Sequence, residues 1–295
     1  MEVKSHTSIK HRMLGVYFKV WRDLLKAQNP QRTLYYIDLY CGDGETFDKK
    51  ARQTFETPVI VSLIKKGIIS MKLDICLLLN DSNTESIKKL KKKIDDLGVT
   101  DKVLALESQD ANTFIDLALS KVPKDDFVVV FIDPYNYKDL NWETIRKISQ
   151  HNGKNYGRRA EMIINLPLYS LGEGMKSKHF EQMDVFFGTK EWHNKVNEYK
   201  ELDKDRPVFS ALLDVYVKRL KGLGYRVLFE EISTLENNAP VYYIIFAVGN
   251  DEAYTIAERA IAFVRTQKKT WTQEKIAKIT KIDGVGGGSG LEKWL

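Results

Sequence analysis

The sequence predicts an α/β fold: a doubly wound, Rossmann-like sheet of seven strands, mostly parallel with an antiparallel last strand, and helices on both faces. Three observations predict it. Five short segments are apolar at nearly every position, the pattern of strands buried on both faces of a parallel sheet. Amphipathic helical stretches alternate with them. Two further strand segments follow a helix and are joined by a connection so short that the pair must be antiparallel.

The elements follow in order. A first helix is expected over Ile9–Ala27, because Met13, Leu14, Tyr17, Phe18, Trp21, Leu24 and Leu25 recur at helical spacing. Thr7 or Ser8 offers an N-cap, and Asn29-Pro30 ends the helix. The five apolar segments are Leu34–Leu39, Asp74–Leu79, Val103–Leu106, Phe127–Ile132 and Glu161–Leu166. Between them lie helices over Pro58–Lys66 (with Thr57 as cap), Thr84–Leu97, Ala111–Leu119 and Trp142–Gln150. Residues 169–208 are polar without a clear period, an insertion carrying some helix and a candidate substrate cap. A helix over Phe209–Leu223 ends at Gly224, strands follow over Tyr225–Ile232 and Val241–Val248, and a last helix covers Asp251–Thr266. Residues 1–266 thus form one domain, and 267–295 a basic, then glycine-rich tail.

Composition narrows the function. Among 295 residues, 43% are hydrophobic and 29% charged, which excludes a disordered or fibrous chain. A net charge of +6 permits a nucleic-acid partner without requiring one. The run Lys88–Lys93 reads as the solvated face of a helix, with Ile87, Leu90, Ile94 and Leu97 inward. Two cysteines, Cys41 and Cys76, exclude a disulfide framework and a four-cysteine zinc site, and the five histidines lack metal-ligand spacing, so no metal is expected. No apolar run is long enough to span a bilayer, and MEVKSHTSIKHR lacks the apolar core of a signal peptide. The expectation is a cytoplasmic protein with no membrane association.

Doubly wound sheets bind ligands outside the carboxyl ends of their strands. After the first strand stands Asp38-Leu39-Tyr40-Cys41-Gly42-Asp43-Gly44. Its glycines suit either a tight turn or close approach of backbone to a ligand. Position 47 is Phe, so the dinucleotide fingerprint is incomplete, and no Gly-Lys-Ser/Thr follows. A nucleoside without pyrophosphate fits better than a dinucleotide. After the second strand, Asp81 can take ribose hydroxyls or cap the next helix, as Ser82 and Asn83 also can. After the third, Asp110 can reach an adenine amino group or cap the helix from Ala111. After the fourth comes Asp133-Pro134-Tyr135-Asn136-Tyr137. A carboxylate beside a rigid proline and aromatic rings offers an acceptor for an N–H donor and a flat stacking face; ordinary turn chemistry is the alternative. Asn165-Leu166-Pro167 repeats the theme after the fifth strand.

The stretch Asp38–Gly44 resembles motif I of class I S-adenosylmethionine-dependent methyltransferases, with Tyr40 where many members have the first glycine. Four segments resemble the three-Cys-motif partner (TcmP) family: Thr7–Trp21 with the pair Lys10-His11, Tyr36–Gly44 followed by Thr57-Pro58, Phe131–Tyr137 with Trp142, and Phe186–Trp192. The resemblance covers about residues 7–265. It implies S-adenosylmethionine as cofactor, its methionine end lined by Asp38, Tyr40, Gly42 and Gly44, its ribose on Asp81 and its adenine on Asp110. Asp133 and Tyr135 would hold the methyl acceptor, an amino group on a nucleobase or small molecule, beside Pro134, Tyr137 and Asn165. Lys10 and His11 would lie on a helix over the crevice. Gly44 and Asp81 are 37 positions apart, and the surplus, Glu45–Glu56, reads as a polar loop over the site. A second reading is a non-catalytic binding module on this fold, partner of a three-Cys-motif protein or of nucleic acid.

Overall fold

In the seven-stranded sheet, neighbours follow the order β5-β4-β1-β6-β7-β9-β8. These are β1 (Leu34–Asp38), β4 (Ile75–Asn80), β5 (Val103–Glu107), β6 (Phe127–Ile132), β7 (Glu161–Pro167), β8 (Arg226–Ser233) and β9 (Pro240–Val248). β9 runs antiparallel to both β7 and β8, and the other pairs are parallel. The Rossmann-like architecture is therefore the one expected from the sequence. The computed structural model describes residues 5–28, 32–48, 53–124, 126–151, 159–202, 208–233, 240–263 and 265–266.

Two cores explain why the strands are apolar throughout. Successive side chains of a strand point to opposite faces. Tyr35, Ile37 and Leu39 join one core, with Val128, Val130 and Ile132 of β6 and helices α3 (Ala111–Ser120) and α4 (Trp142–Gln150). Leu34, Tyr36, Val129 and Phe131 join the other, under α1 (Ser5–Gln28), a helix over Val59–Ser70, α2 (Thr84–Asp96) and α9 (251–263).

Several local readings are corrected. α1 begins at Ser5, so Thr7 and Ser8 lie within it and do not cap it; Asn29-Pro30 falls outside the described residues. The helix after Pro58 extends to Ser70 in the wide π form, with Met71 N–H reaching back five residues to Lys66 O. It has no side-chain cap; the Thr57 carbonyl, not its hydroxyl, receives Val61 N–H. Ile60, Leu63, Ile64, Gly67 and Ile68 form its buried face. Glu45–Glu56 is no loop: β2 (Glu45–Asp48) and β3 (Gln53–Glu56) form an antiparallel hairpin. Ion pairs from Lys93 to Glu45 (2.5 Å) and Lys65 to Glu56 (2.7 Å) hold it down.

The insertion holds three helices, α5 (Leu168–Lys176), α6 (Phe180–Phe187) and α7 (Glu191–Leu202), before α8 (Val208–Gly222). It is packed rather than splayed. Phe186 stacks on Tyr216 with ring centroids 5.3 Å apart, and Trp142 meets Tyr216 edge-on at 5.2 Å. Gly188 ends α6 at φ 61°, and an added Cβ would lie 2.5 Å from the Trp142 ring. Gly188→Ala therefore combines a left-handed backbone penalty with overpacking against a buried indole, together about 3 kcal/mol. Urea unfolding is expected to show that loss as a lower midpoint; a wild-type midpoint would refute the packing described. The tail, 267–295, lies outside the described residues.

Candidate functional site

The carboxyl ends of β1, β4, β5, β6 and β7 meet on one edge of the sheet, stitched by polar side chains. Asn80, 1% exposed, donates to the Leu39 (3.2 Å) and Gln109 (3.0 Å) carbonyls and accepts Gln109 N–H. It ties together the ends of β1, β4 and β5. Asn112 and Tyr40 both donate to the Asp139 carbonyl, at 3.2 and 2.7 Å. That bond joins the loop after β1 to the loop after β6.

The glycine turn sits on two carboxylates. Asp38 lies beneath it, accepting from Tyr36 OH (2.9 Å) and Tyr40 N–H (3.1 Å). Burial pushes the Asp38 carboxyl up to about 7, against those two hydrogen bonds and with the nearby charges of Asp133 and Asp81. Gly42 takes φ 61°, and its N–H donates to Asp81 Oδ2 at 2.9 Å. A Cβ on Gly42 would meet only open space, so the turn leaves its backbone accessible. Gly44, at φ 77°, instead packs toward Leu90 and Ile60. Asp81 also receives Asn83 N–H at 2.8 Å, and Asn83, not Asp81, caps α2. Asp110 caps α3 through Asn112 N–H (2.9 Å) and Thr113 N–H (3.2 Å).

Asp133, one residue beyond β6, is clamped from both sides. Lys10 Nζ of α1 lies 2.5 Å from Oδ2, and Asn165 Nδ2 of β7 lies 2.5 Å from Oδ1. The Lys10 and Asp133 side chains are 14% and 19% exposed, so solvent reaches them only at the edge. Lys10 Nζ also lies 5.9 Å from the Tyr242 ring centre. Beside it, burial and then the Lys10 charge lower His11 to about 4, partly opposed by Asp133. His11 is therefore a neutral imidazole near pH 7.

The aromatic residues divide. Tyr135 is 93% exposed, and Tyr169 at the start of α5 is 78% exposed. Pro134 is buried. Tyr137 is in the core, its ring edge-on to Phe186 at 6.1 Å. Tyr137 N–H donates to Ser170 Oγ at 3.1 Å, which fixes the post-β6 loop to α5.

The structure thus brings together Asp38, Tyr40, Gly42, Asp81, Asp133, Asn165, Lys10 and His11, and sets Tyr137 apart beneath the surface. Sequence reasoning missed Asn80 as a stitch, Asn112, Tyr169 and Tyr242. Asn80 carries a visible signal, since it stands at a strand end beside Asp81. Tyr242 carries none, because β9 enters this edge at its amino end. Among the described residues, no group of three or more His, Cys, Asp or Glu side chains is placed to hold a metal ion, and no helix is long and apolar enough to cross a membrane.

No family model matches the chain, and no curated protein matches it. Among solved structures it is similar to the METTL16 MTase domain, at 12% identity and TM-score 0.43, with 78% of this chain and 66% of that one covered. It is also similar to protein LPL1258 from Legionella pneumophila str. Philadelphia 1, at 13% identity and TM-score 0.48, covering 87% and 92%. A third is the methyltransferase domain of bacterial CtHen1-C, at 15% identity and TM-score 0.38, covering 82% and 100%. The chain spans just under two thirds of the METTL16 domain's length.

Proposed function

We propose that the protein is an S-adenosylmethionine-dependent methyltransferase acting on an amino group of a nucleobase or small molecule. The observation that carries this reading is the clamped Asp133, set at a strand end beside a fully exposed tyrosine and on the same edge as an open glycine turn. The residues fit the cofactor. Gly42 leaves room for close approach, and Asp38 supplies a buried carboxylate beneath the turn. Asp38, Tyr40, Gly42 and Gly44 would hold its methionine end. Asp81 would take the ribose while keeping its bond to Gly42, since each carboxylate oxygen accepts two hydrogen bonds. Asp110 would meet the adenine.

The cofactor brings an already activated methyl group on a sulfonium, so the protein's task is to bind, orient and exclude water. Asp133 accepts an N–H hydrogen bond from the acceptor amine and fixes its lone pair's direction. Tyr135 offers the acceptor a stacking face. Pro134 and Tyr137 are buried on either side of it in sequence, and Asn165 holds Asp133 in place. Neutral His11 adds no charge beside Lys10.

Calorimetry with S-adenosylmethionine and S-adenosylhomocysteine tests the reading; no binding of either by folded protein would overturn it. Asp38 adds a pH signature. If Asp38 holds the cationic cofactor, binding would favour its ionised carboxylate, which burial pushes up to about 7. Binding near pH 6 is therefore expected to release a proton, and affinity to weaken by up to about tenfold per unit below pH 7. Titrations in buffers of different ionisation enthalpy measure that proton. Asp38→Asn should bind more weakly and lose the pH dependence.

A further inference from the structure

We infer that the methyl acceptor is carried in a single strand of nucleic acid, with Tyr135 and Tyr169 as stacking platforms for neighbouring bases and Lys138 and Lys178 meeting the phosphates. The inference rests on the methyltransferase reading for the reaction and deepens it, because that reading leaves a polymer and a small molecule open.

Two rings point to it. Tyr135 and Tyr169, 93% and 78% exposed, are the most exposed large hydrophobic side chains among the described residues; Val185 follows at 51%. Aromatic rings gain most from leaving water, so two of them left open on one edge mark a surface that another molecule covers. Both stand beside the clamped Asp133. Tyr135 is two residues beyond it, and Tyr169 lies in the first turn of α5, four residues beyond Asn165. The 3.1 Å bond from Tyr137 N–H to Ser170 Oγ joins the two segments, so the Cα atoms of the two tyrosines lie within about 20 Å of each other. A free nucleoside needs one stacking face. A second face, on the next element, suits a base beside the reacting one. In a duplex the bases are already stacked on one another, so two open platforms select a single strand.

The charges agree. Lys138 Nζ lies 3.4 Å from His179 Nδ1, which brings it beside Lys178 in the link between α5 and α6. Tyr169 is near enough to Lys176 to act on its charge, after the larger effect of Glu173. Glu173 is taken up by Lys176 at 2.9 Å, and Asp139 accepts Asn136 N–H at 3.0 Å. Lys138 and Lys178 carry ammonium groups without a carboxylate partner among the described residues. Such groups are point charges suited to phosphate oxygens.

Fluorescence anisotropy tests the surface apart from the reaction. The probes are one mixed sequence of about 12 nucleotides, as single-stranded RNA, as single-stranded DNA and as the DNA duplex. At least one of the single strands is expected to bind about tenfold or more tighter than the duplex. Tyr169→Ala should weaken that binding about tenfold, and Tyr169→Phe, which keeps the ring, should restore it. Lys138→Gln with Lys178→Gln should reduce the slope of log affinity against log salt by about 1.4, the share of two phosphates. Failure of both single strands to bind, equal binding of the duplex, wild-type affinity in Tyr169→Ala, or an unchanged salt slope in the lysine variant would each overturn the surface. If S-adenosylhomocysteine still binds in that case, the methyltransferase reading stands without it. Strand binding with no cofactor binding would instead remove the reaction, and the acceptor with it, while the surface for the strand remained.

Discussion

Asp133→Ala is expected to cut methyl transfer by about 10³-fold or more while leaving S-adenosylhomocysteine affinity within about threefold. On the proposed reading the two effects separate, because Asp133 would serve the acceptor while the glycine turn rests on Asp38 and Asp81. Transfer is measured as tritium moving from methyl-labelled cofactor into nucleic-acid and small-molecule extracts. The substitution also strands Lys10, whose side chain is 14% exposed, and a cation left without its partner at such a site destabilises by itself. Lys10→Met with Asp133→Ala removes both charges and restores a neutral site. If transfer is lost equally in the single and double variants while both remain folded, the loss belongs to Asp133 as an acceptor and not to unfolding. Wild-type transfer by either variant would remove Asp133 from the reaction.

What the sequence made legible follows from how each feature is encoded. The parallel strands were readable because burial on both faces demands apolar residues at every position, as in Phe127–Ile132. The carboxylates at strand ends were readable because the fold class says where ligands bind. The hairpin Glu45–Glu56 was not, since two four-residue strands held by backbone pairing and surface lysines carry little apolar alternation. The insertion showed no period because neighbouring residues, Phe186 and Phe187, are both buried, which no single helix face predicts. Tyr135 and Tyr137 stand two apart in one motif, yet one is exposed and the other buried; the α6 ring of Phe186 decides that, from a distant part of the chain. The Asp133 clamp lies in the same class. Spacing cannot reveal that Lys10 and Asn165 meet on one carboxylate, because they lie 123 and 32 positions from Asp133 and only the tertiary packing brings them together.

The other large expected effect concerns α1 at its opposite contact. Tyr17 of α1 donates to Glu161 at the start of β7; Tyr17 is fully enclosed and Glu161 is buried. Burial raises the Glu161 carboxyl to about 7, opposed by the Tyr17 hydrogen bond. Its unfolded value is about 4.5, so the native state holds a proton that the unfolded chain has released between those two pH values. The contribution is full below pH 4.5 and is lost as pH rises through 7, with a total of about 3 kcal/mol. Asp38 shifts in the same direction, so the two buried acids together make the protein more stable near pH 5 than near pH 8, as far as these groups decide it. Glu161→Gln keeps an acceptor for Tyr17 without a titrating proton, and is expected to flatten this part of the profile and raise the midpoint at pH 8. Tyr17→Phe with Glu161→Met removes both partners and tests the same point with no buried polar group left behind. Urea titrations from pH 5 to pH 8 compare the three proteins. A wild-type pH slope in both variants would show that Glu161 is ionised in the native state throughout, and would place the pH dependence on Asp38 alone.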